Sequence, residues 1–198
     1  SPAILSFAAG TPDGRVGLEF YPSILLVDIS ASPAARMGLF PPGSNYMGGT
    51  VSPVIGPADY IQRLVIPHQR RLANARVVSQ QPLPALAQLL GREDQLYAGA
   101  LQSVGAAMQH AAAEVTVDYE QGGLAVREKF VVDITYLQVP GPSVIFRPAM
   151  AISLRAPREE FDSWQIPMMT SVYSFRPNPL WMALYRLMIA KVEAKVGE

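Results

Sequence analysis

The densest group of ionisable side chains in the sequence follows a predicted helix. It comprises Arg63, His68, Arg70 and Arg71. Guanidinium groups bind phosphate and carboxylate groups with paired hydrogen bonds, and an imidazole titrates near neutral pH. These four residues are therefore candidate anion-binding residues. No Gly-rich phosphate loop accompanies them, so a solvated loop whose cations face the last carbonyls of the helix is the favoured alternative.

His110 is the second candidate for chemistry. It lies among alanines near the end of Glu93–Ala113, which has apolar residues at helical spacing and is predicted to be a helix. Paired with Glu114, His110 could form half of a metal or acid–base site. Helix capping, or a partly buried histidine with satisfied hydrogen bonds, is the favoured interpretation.

Three carboxylates in the middle of the chain, Asp118, Glu120 and Glu128, suggest a carboxylate pair. Asp118 is more simply explained as a cross-strand partner of Arg127. The alternation of the strand places Glu128 among apolar residues, where an unpaired buried carboxylate would have a raised pKa. A local bulge that turns Glu128 outward is the favoured interpretation.

The three carboxylates lie within Glu114–Leu137, a stretch that is predicted to form two long strands joined at Gly122-Gly123. Two adjacent glycines accept the positive φ angles of a two-residue hairpin turn. The turn fixes the cross-strand pairs, which are Tyr119 with Val126, Asp118 with Arg127, Val117 with Glu128, Thr116 with Lys129 and Val115 with Phe130. One face of the ribbon is then apolar and the other mostly charged, which specifies the register.

The hairpin needs a cover, because burying its apolar face about offsets the entropy cost of ordering it. We expect the helices predicted at 57–66, 93–112 and 158–174 to supply that cover. The sequence thus predicts one α+β domain over 1–198, an antiparallel β-sheet with helices packed on it. Residues 32–57, rich in proline and glycine, are predicted to form a long loop.

The end of the chain is predicted to be an apolar helix over 178–196, because Asn178-Pro179 is a cap-plus-first-turn signature. Few of its residues are charged, and a terminal helix of this kind is either buried or covered by a partner. The candidate interface residues are Trp181, Leu184, Tyr185, Met188 and Val192.

Composition excludes several classes of function. Sixteen basic and sixteen acidic residues cancel, so no overall field favours nucleic acid. No apolar run is long enough to span a bilayer. Without cysteine there is no disulfide or thiolate chemistry, and no cofactor or metal site is indicated.

Several stretches resemble a known group of folds. The C-terminal part from Arg155 to Arg176, with Ser174-Phe175-Arg176, is similar to PsbP/Mog1-type α+β domains, which close with a strand, a short polar link and a helix. TPDGRVGLEFYP, PADYIQRLVIP and SFRPNPLW resemble uncharacterised bacterial proteins of this kind. The resemblance implies an adaptor or binding scaffold, although a fold does not determine a function.

Together these observations favour a non-enzymatic binding or assembly module that uses protein–protein contacts through the C-terminal helix, with self-association or another protein as partner. The alternative is a carrier of a small apolar ligand in a cavity between sheet and helices. An enzyme acting on an anion at the Arg63–Arg71 cluster is the least favoured hypothesis. The compartment is left open, with a secreted or cell-envelope location preferred to a cytoplasmic one.

Overall fold

The computed structural model describes residues 6–95, 98–174 and Leu187, and within them the chain forms the predicted α+β fold. The strands are β1 (Phe7–Gly10), β2 (Gly17–Phe20), β3 (Leu26–Asp28), β4 (Asn45–Tyr46), β5 (Gly49–Val51), β6 (Arg76–Pro82), β7 (Ala107–Gln121), β8 (Leu124–Gln138) and β9 (Val144–Pro157). The helices are α1 (Pro33–Arg36), α2 (Pro57–Tyr60), a π-helix (Ile61–Gln69), α3 (Pro84–Asp94), α4 (Ala98–Ser103) and α5 (Phe161–Ser174).

The central hairpin has the predicted register. β7 and β8 pair antiparallel over 15 residues each, with Val117 opposite Glu128 and Asp118 opposite Arg127. Gly122 and Gly123 both have positive φ, of 60° and 78°, as the tight turn requires. The ribbon is longer than predicted, because its pairing continues back to Ala107 and on to Gln138.

The sheet runs in the order β4-β5-β3-β9-β8-β7-β6, and β1 and β2 form a hairpin that also joins β9. All its pairs are antiparallel except β3 with β5. One edge of β9 pairs with β3 near Phe146 and with β2 near Leu154. Between these two neighbours, opposite Asp133 and Ile134, the register shifts around Pro148. A bulge is the usual place for a proline in a sheet interior, since proline cannot donate a ladder hydrogen bond.

Both faces of the sheet are covered. The larger core lies against the π-helix, where Ile61 and Val65 pack on Phe130 and Val132 of β8. On the opposite face α5 packs against β2 and β9 through Phe161, Met168, Leu18 and Leu154. The same face carries α3, which lies on β7. No described helix is long and apolar enough to cross a bilayer.

The predicted helix over Glu93–Ala113 is wrong in its second half. The helical part ends with α4 at Ser103, Gly105 follows with a φ of +69°, and the alanine-rich stretch from Ala107 is strand. Alanine favours helix intrinsically, but β8 offers this stretch a full ladder of hydrogen bonds. Tertiary pairing therefore overrides local propensity here.

Two other expectations need correction. Residues 32–57 are not a structureless loop, because they contain α1 and the β4–β5 hairpin. Pro67 does not end its helix, because it lies inside the π-helix. In an α-helix the proline ring clashes with the carbonyl of residue i−4 and removes a hydrogen bond. The wider π turn, seen in the hydrogen bond from the Arg70 amide to the Val65 carbonyl, accommodates this proline.

Candidate functional site

His110 lies between two carboxylates. Its Nδ1 is 2.6 Å from Asp133 Oδ2, and its Nε2 is 2.6 Å from Asp94 Oδ2. The His110 side chain is 8% exposed and that of Asp133 is fully buried, whereas Asp94 is partly exposed. An imidazolium donates a hydrogen bond from each nitrogen, so this geometry suits the charged form of His110.

Three separate elements supply these side chains. His110 lies on β7, directly opposite Thr135 of β8, and Asp133 is two residues from Thr135 on the same face. Asp94 is the last residue of α3. A carboxylate is unfavourable at the C-terminal end of a helix, where the macrodipole prefers a cation. His110 supplies that cation, so the contact also joins the end of α3 to the sheet.

Electrostatics favour a protonated His110. Burial alone lowers the pKa of His110, but the hydrogen bonds with Asp133 and Asp94 outweigh it, and the pKa is raised above its usual value. Burial raises the pKa of Asp133, and its hydrogen bond with His110 works against that rise. Asp133 Oδ1 is buried and makes no hydrogen bond with any described residue.

The histidine borders an open cleft of about 760 Å³. Its walls come from α3, including Gln88 and Asp94, and from β7, including Met108 and His110. The described residues offer no group of three side chains arranged as metal ligands. Because both nitrogens of His110 already face carboxylates, the imidazole presents no unoccupied position to this cleft.

A second polar cluster lies on the other face of β8, around Glu128. The Arg70 Nε donates to both carboxylate oxygens at 3.1 Å, and the hydroxyls of Tyr119 and Ser153 donate to one oxygen each at 2.6 Å. The hydroxyl of Tyr21 is 2.8 Å from that of Ser153 and completes the network. Glu128 is fully buried, and all its acceptor atoms have donors.

The favoured interpretation of Glu128 as a bulged, outward residue is therefore wrong. The β7–β8 register is continuous through Glu128, and the bulges lie elsewhere, at Val78 and beside Pro148. Burial lowers the pKa of Arg70, whereas the neighbouring Glu128 carboxylate raises it. The net effect is a pKa above the usual value for arginine. Burial, with Glu128 next to it, raises the pKa of Tyr119. A permanent cation thus neutralises the buried carboxylate.

The structure does not bring the four candidate anion-binding residues together. Arg70 is bound to Glu128, whereas Arg63 is exposed and lies 3.9 Å from Asp59 of the preceding helix α2. His68 and Arg71 are on the surface, and Arg71 has a φ of +56°. Anion binding at this cluster stays a prediction, with Arg70 already occupied by a carboxylate.

The other carboxylates are explained by ion pairs. Asp118 binds Arg127 through two hydrogen bonds of 2.8 and 2.9 Å, which confirms the predicted cross-strand pair. His110 pairs with Asp133 and Asp94 instead of Glu114, which accepts a hydrogen bond from Gln81 and lies 3.6 Å from Lys129. The strand conformation separates residues 110 and 114 along the sheet, whereas a helix would have placed them on adjacent turns.

Two surfaces suit binding. The first is β6, the last strand of the sheet in the described part of the chain, with β7 as its one neighbour. All seven of its residues are exposed, including Val77 and Val78. The second is an apolar groove of about 410 Å³ between the β1–β2 hairpin and α5, where Leu18, Trp164 and Met168 are among the lining residues.

The candidate interface residues Trp181, Leu184, Tyr185, Met188 and Val192 lie outside the described residues. Within 178–196 the structure describes Leu187 alone, which is exposed. No known protein family, curated protein or solved structure matches the chain. The resemblance to PsbP/Mog1-type domains therefore stays a prediction.

Sequence reasoning missed both partners of His110, although a signal for one was present. The register fixed by the Gly122-Gly123 turn, continued backward, sets His110 opposite Thr135 and diagonal to Asp133. The helix predicted over the neighbouring alanines is incompatible with this cross-strand arrangement, so the sequence analysis does not pair His110 with Asp133. Asp94 carried no such signal, since its position depends on how α3 packs on β7.

Proposed function

We propose that the protein is a non-enzymatic binding or assembly module that joins a protein chain along the outer edge of β6. The observation that carries the proposal is a seven-residue edge strand exposed at every position. An edge strand presents unpaired backbone N–H and C=O groups, which are a template for another strand. Natural proteins protect such edges with short strands, charges, bulges or proline; β6 has a bulge at Val78 and ends at Pro82, but it is seven residues long and Val77–Pro82 contains no charged residue.

The two polar clusters support a binding role over a catalytic one. A general base needs an atom that can reach the substrate proton. The nitrogens of His110 both face carboxylates, and the oxygens of Glu128 accept from three side chains. Both clusters tie elements of the fold together, which suits a rigid scaffold that presents a surface.

The C-terminal helix predicted over 178–196 remains a second candidate surface. Its apolar composition is the support for it, and the exposed Leu187 provides a position at which to test it. The two surfaces are compatible, because a module can hold one partner along a sheet edge and another through a helix.

Site-specific photo-cross-linking tests the proposal. Val78→benzoylphenylalanine places a short-range probe on the β6 edge in the cells that naturally make the chain. Val104, an exposed valine just after α4, is the matched control, with 62% exposure against 37% for Val78. A third probe at Leu187 tests the C-terminal surface. We expect discrete protein adducts from position 78 and none from position 104.

The outcomes separate the surfaces. Adducts from position 187 with none from position 78 would move the binding function to the C-terminal helix and reject β6. Equal adduct patterns at 78 and 104 would show random collision and reject the edge as a binding surface. The mass of an adduct also shows whether the partner is another protein or this chain.

A carrier of a small apolar ligand is the second candidate function, favoured by the groove beside α5. Its volume of about 410 Å³ is within the range of small-molecule sites, and its lining is mostly apolar. Trp164 lines the groove, so its fluorescence reports on occupancy in a Trp181→Phe background.

Titration with decanoate tests this second candidate. Ala9 lines the groove and Ala8 does not, and these adjacent strand residues point to opposite faces of β1. Saturable quenching of Trp164 that Ala9→Phe abolishes and Ala8→Phe preserves would support a ligand site. Linear, non-saturating quenching in all three proteins would reject it.

A further inference from the structure

We infer that the strand that pairs with β6 is the β6 of a second copy of this chain, aligned antiparallel across a two-fold axis. This inference rests on the proposed function and names its partner. Three features of β6 support it: the free backbone groups along its edge, the presence of a single charged residue, and residues that favour an extended strand.

The edge has the hydrogen-bonding groups that the pairing needs. β6 pairs antiparallel with β7 from Arg76 to Pro82, with one register shift at Val78. In an antiparallel strand, alternate residues direct their N–H and C=O groups away from the existing neighbour. β6 therefore has outward donors and acceptors on both sides of the bulge at Val78, except that Pro82 has no N–H, and its side chains stay accessible on both faces.

Other ends of the sheet offer much less. Its other terminal strand, β4, has two residues, and β1, which pairs with β2 beside the main path, has four. A short edge gives few ladder hydrogen bonds and is a common means of preventing edge-to-edge pairing. Among the described strands, β6 is thus the edge best able to hold another strand.

The charge of β6 is compatible with a second copy as the partner. Arg76 is the one charged residue of the strand, and the chain as a whole carries sixteen basic and sixteen acidic residues. With a two-fold axis at Ser79, the two Arg76 residues would lie about 20 Å apart along the strands, at about 3.4 Å per residue. That separation exceeds the Debye length of about 8 Å at physiological ionic strength, so the two cations would not repel each other appreciably.

The strand also has the character that an added strand requires. An augmenting strand must be extended, uncharged and rich in residues that favour sheets, as Val77 and Val78 do. A two-fold axis perpendicular to the strands places identical strands antiparallel and satisfies both edges at once. Among the described strands a third copy then finds no free edge longer than the four residues of β1, so the assembly closes at a dimer.

We expect the dimer to be weak and concentration-dependent. One strand ladder buries less surface than the roughly 1,200–2,000 Å² of a stable interface. Ser79→Lys would place two ammonium groups opposite each other at the axis, and like charges directly opposite are destabilising. We expect this variant to raise the dimer dissociation constant about fivefold.

Cysteine cross-linking on the purified 198-residue chain is the decisive test, because its sequence contains no cysteine. Ser79→Cys places a thiol at the proposed axis, where the two copies of residue 79 lie opposite each other, and Val77→Cys and Gln81→Cys test an axis displaced by two residues. Ser103→Cys, at the exposed end of α4, is the matched control. After mild oxidation we expect a disulfide-linked dimer from at least one β6 position and none from position 103. Analytical ultracentrifugation of the wild type and of Ser79→Lys measures the dissociation constants.

Each outcome decides the question. No cross-linked dimer from any β6 position, or equal yields at position 103, would overturn the inference. If Ser79→Cys gives the highest yield of disulfide-linked dimer, an unchanged dissociation constant in Ser79→Lys would overturn it as well. If the photo-cross-link at position 78 yields another protein while the cysteine variants stay monomeric, the proposed function stands and this inference fails. If both experiments are negative, both fail.

Discussion

Glu128 and Asp133 are two buried carboxylates on the same strand, on opposite faces of the sheet. Glu128 is paired with Arg70, whose charge is permanent, and its oxygens all have donors. Asp133 is paired with His110, whose charge depends on pH, and one of its oxygens has no partner among the described residues. The comparison indicates that one cluster holds the fold at every physiological pH, whereas the other holds α3 conditionally.

The largest effect should come from removing the permanent cation. Arg70→Ala leaves Glu128 buried without its charge partner, and breaking a buried pair in this way costs about 3–5 kcal/mol of unfolding free energy. Urea unfolding followed by circular dichroism measures it. Arg71→Ala, on the neighbouring exposed arginine, is the control and should change stability by less than about 0.5 kcal/mol. Equal losses in the two variants would remove the distinction between Arg70 and its surface neighbours.

The next largest difference should be in how each cluster's contribution to the unfolding free energy depends on pH. The folded-state pKa of His110 is raised, so its contribution is fully present below about pH 6.5 and is lost as pH rises through the folded pKa. Asp133 also has a raised pKa, so its contribution is lost with rising pH too, in a window that begins near pH 4.

We therefore expect the unfolding free energy of the wild type to fall as the pH rises above about 6.5 and through the raised pKa of His110. The drop should be absent from His110→Gln, which keeps a polar side chain but cannot titrate. Urea titrations at a series of pH values measure both proteins. A parallel pH profile in the two proteins would show that His110 does not hold a stabilising proton.

The smallest effect should come from Asp94, because it is partly exposed to solvent. Asp94→Asn keeps an acceptor for His110 and removes one charge, so we expect a loss of under about 1 kcal/mol. Hydrogen exchange should show faster exchange in α3, with β8 unchanged. Arg92→Ala, on the same helix, serves as the control. Exchange that accelerates equally in α3 and β8 would indicate global destabilisation in place of local release.

Much of this architecture can be predicted from the sequence, because the signals for it are local. The glycine pair at 122–123 and the alternation of Val115, Val117 and Tyr119 determined the central hairpin and its register, because both are local signals. The same alternation marked Glu128 as a residue among apolar neighbours. It could not show the partner, since Arg70 reaches Glu128 from an element 58 residues away in sequence.

Other features depended on competition between local and tertiary preferences. The alanines from 111 to 113 favour a helix alone, but the ladder of β8 makes them strand. A proline such as Pro67 usually marks the end of an α-helix, because its ring clashes with the carbonyl of residue i−4. The wider turn of the π-helix avoids this clash, so the helix continues through Pro67. Both departures lie beside a polar cluster, one next to His110 and the other next to Arg70.

The π-helix makes the number of residues before Arg70 important for the direction of the Arg70 side chain. Its wide turns set the rotation at which Arg70 leaves the helix, and that rotation aims the guanidinium at the interior. Shortening the segment by a single residue would turn the arginine toward solvent even if every remaining amino acid stayed the same. We expect the number of residues between Tyr60 and Arg70 to tolerate change less well than their identities.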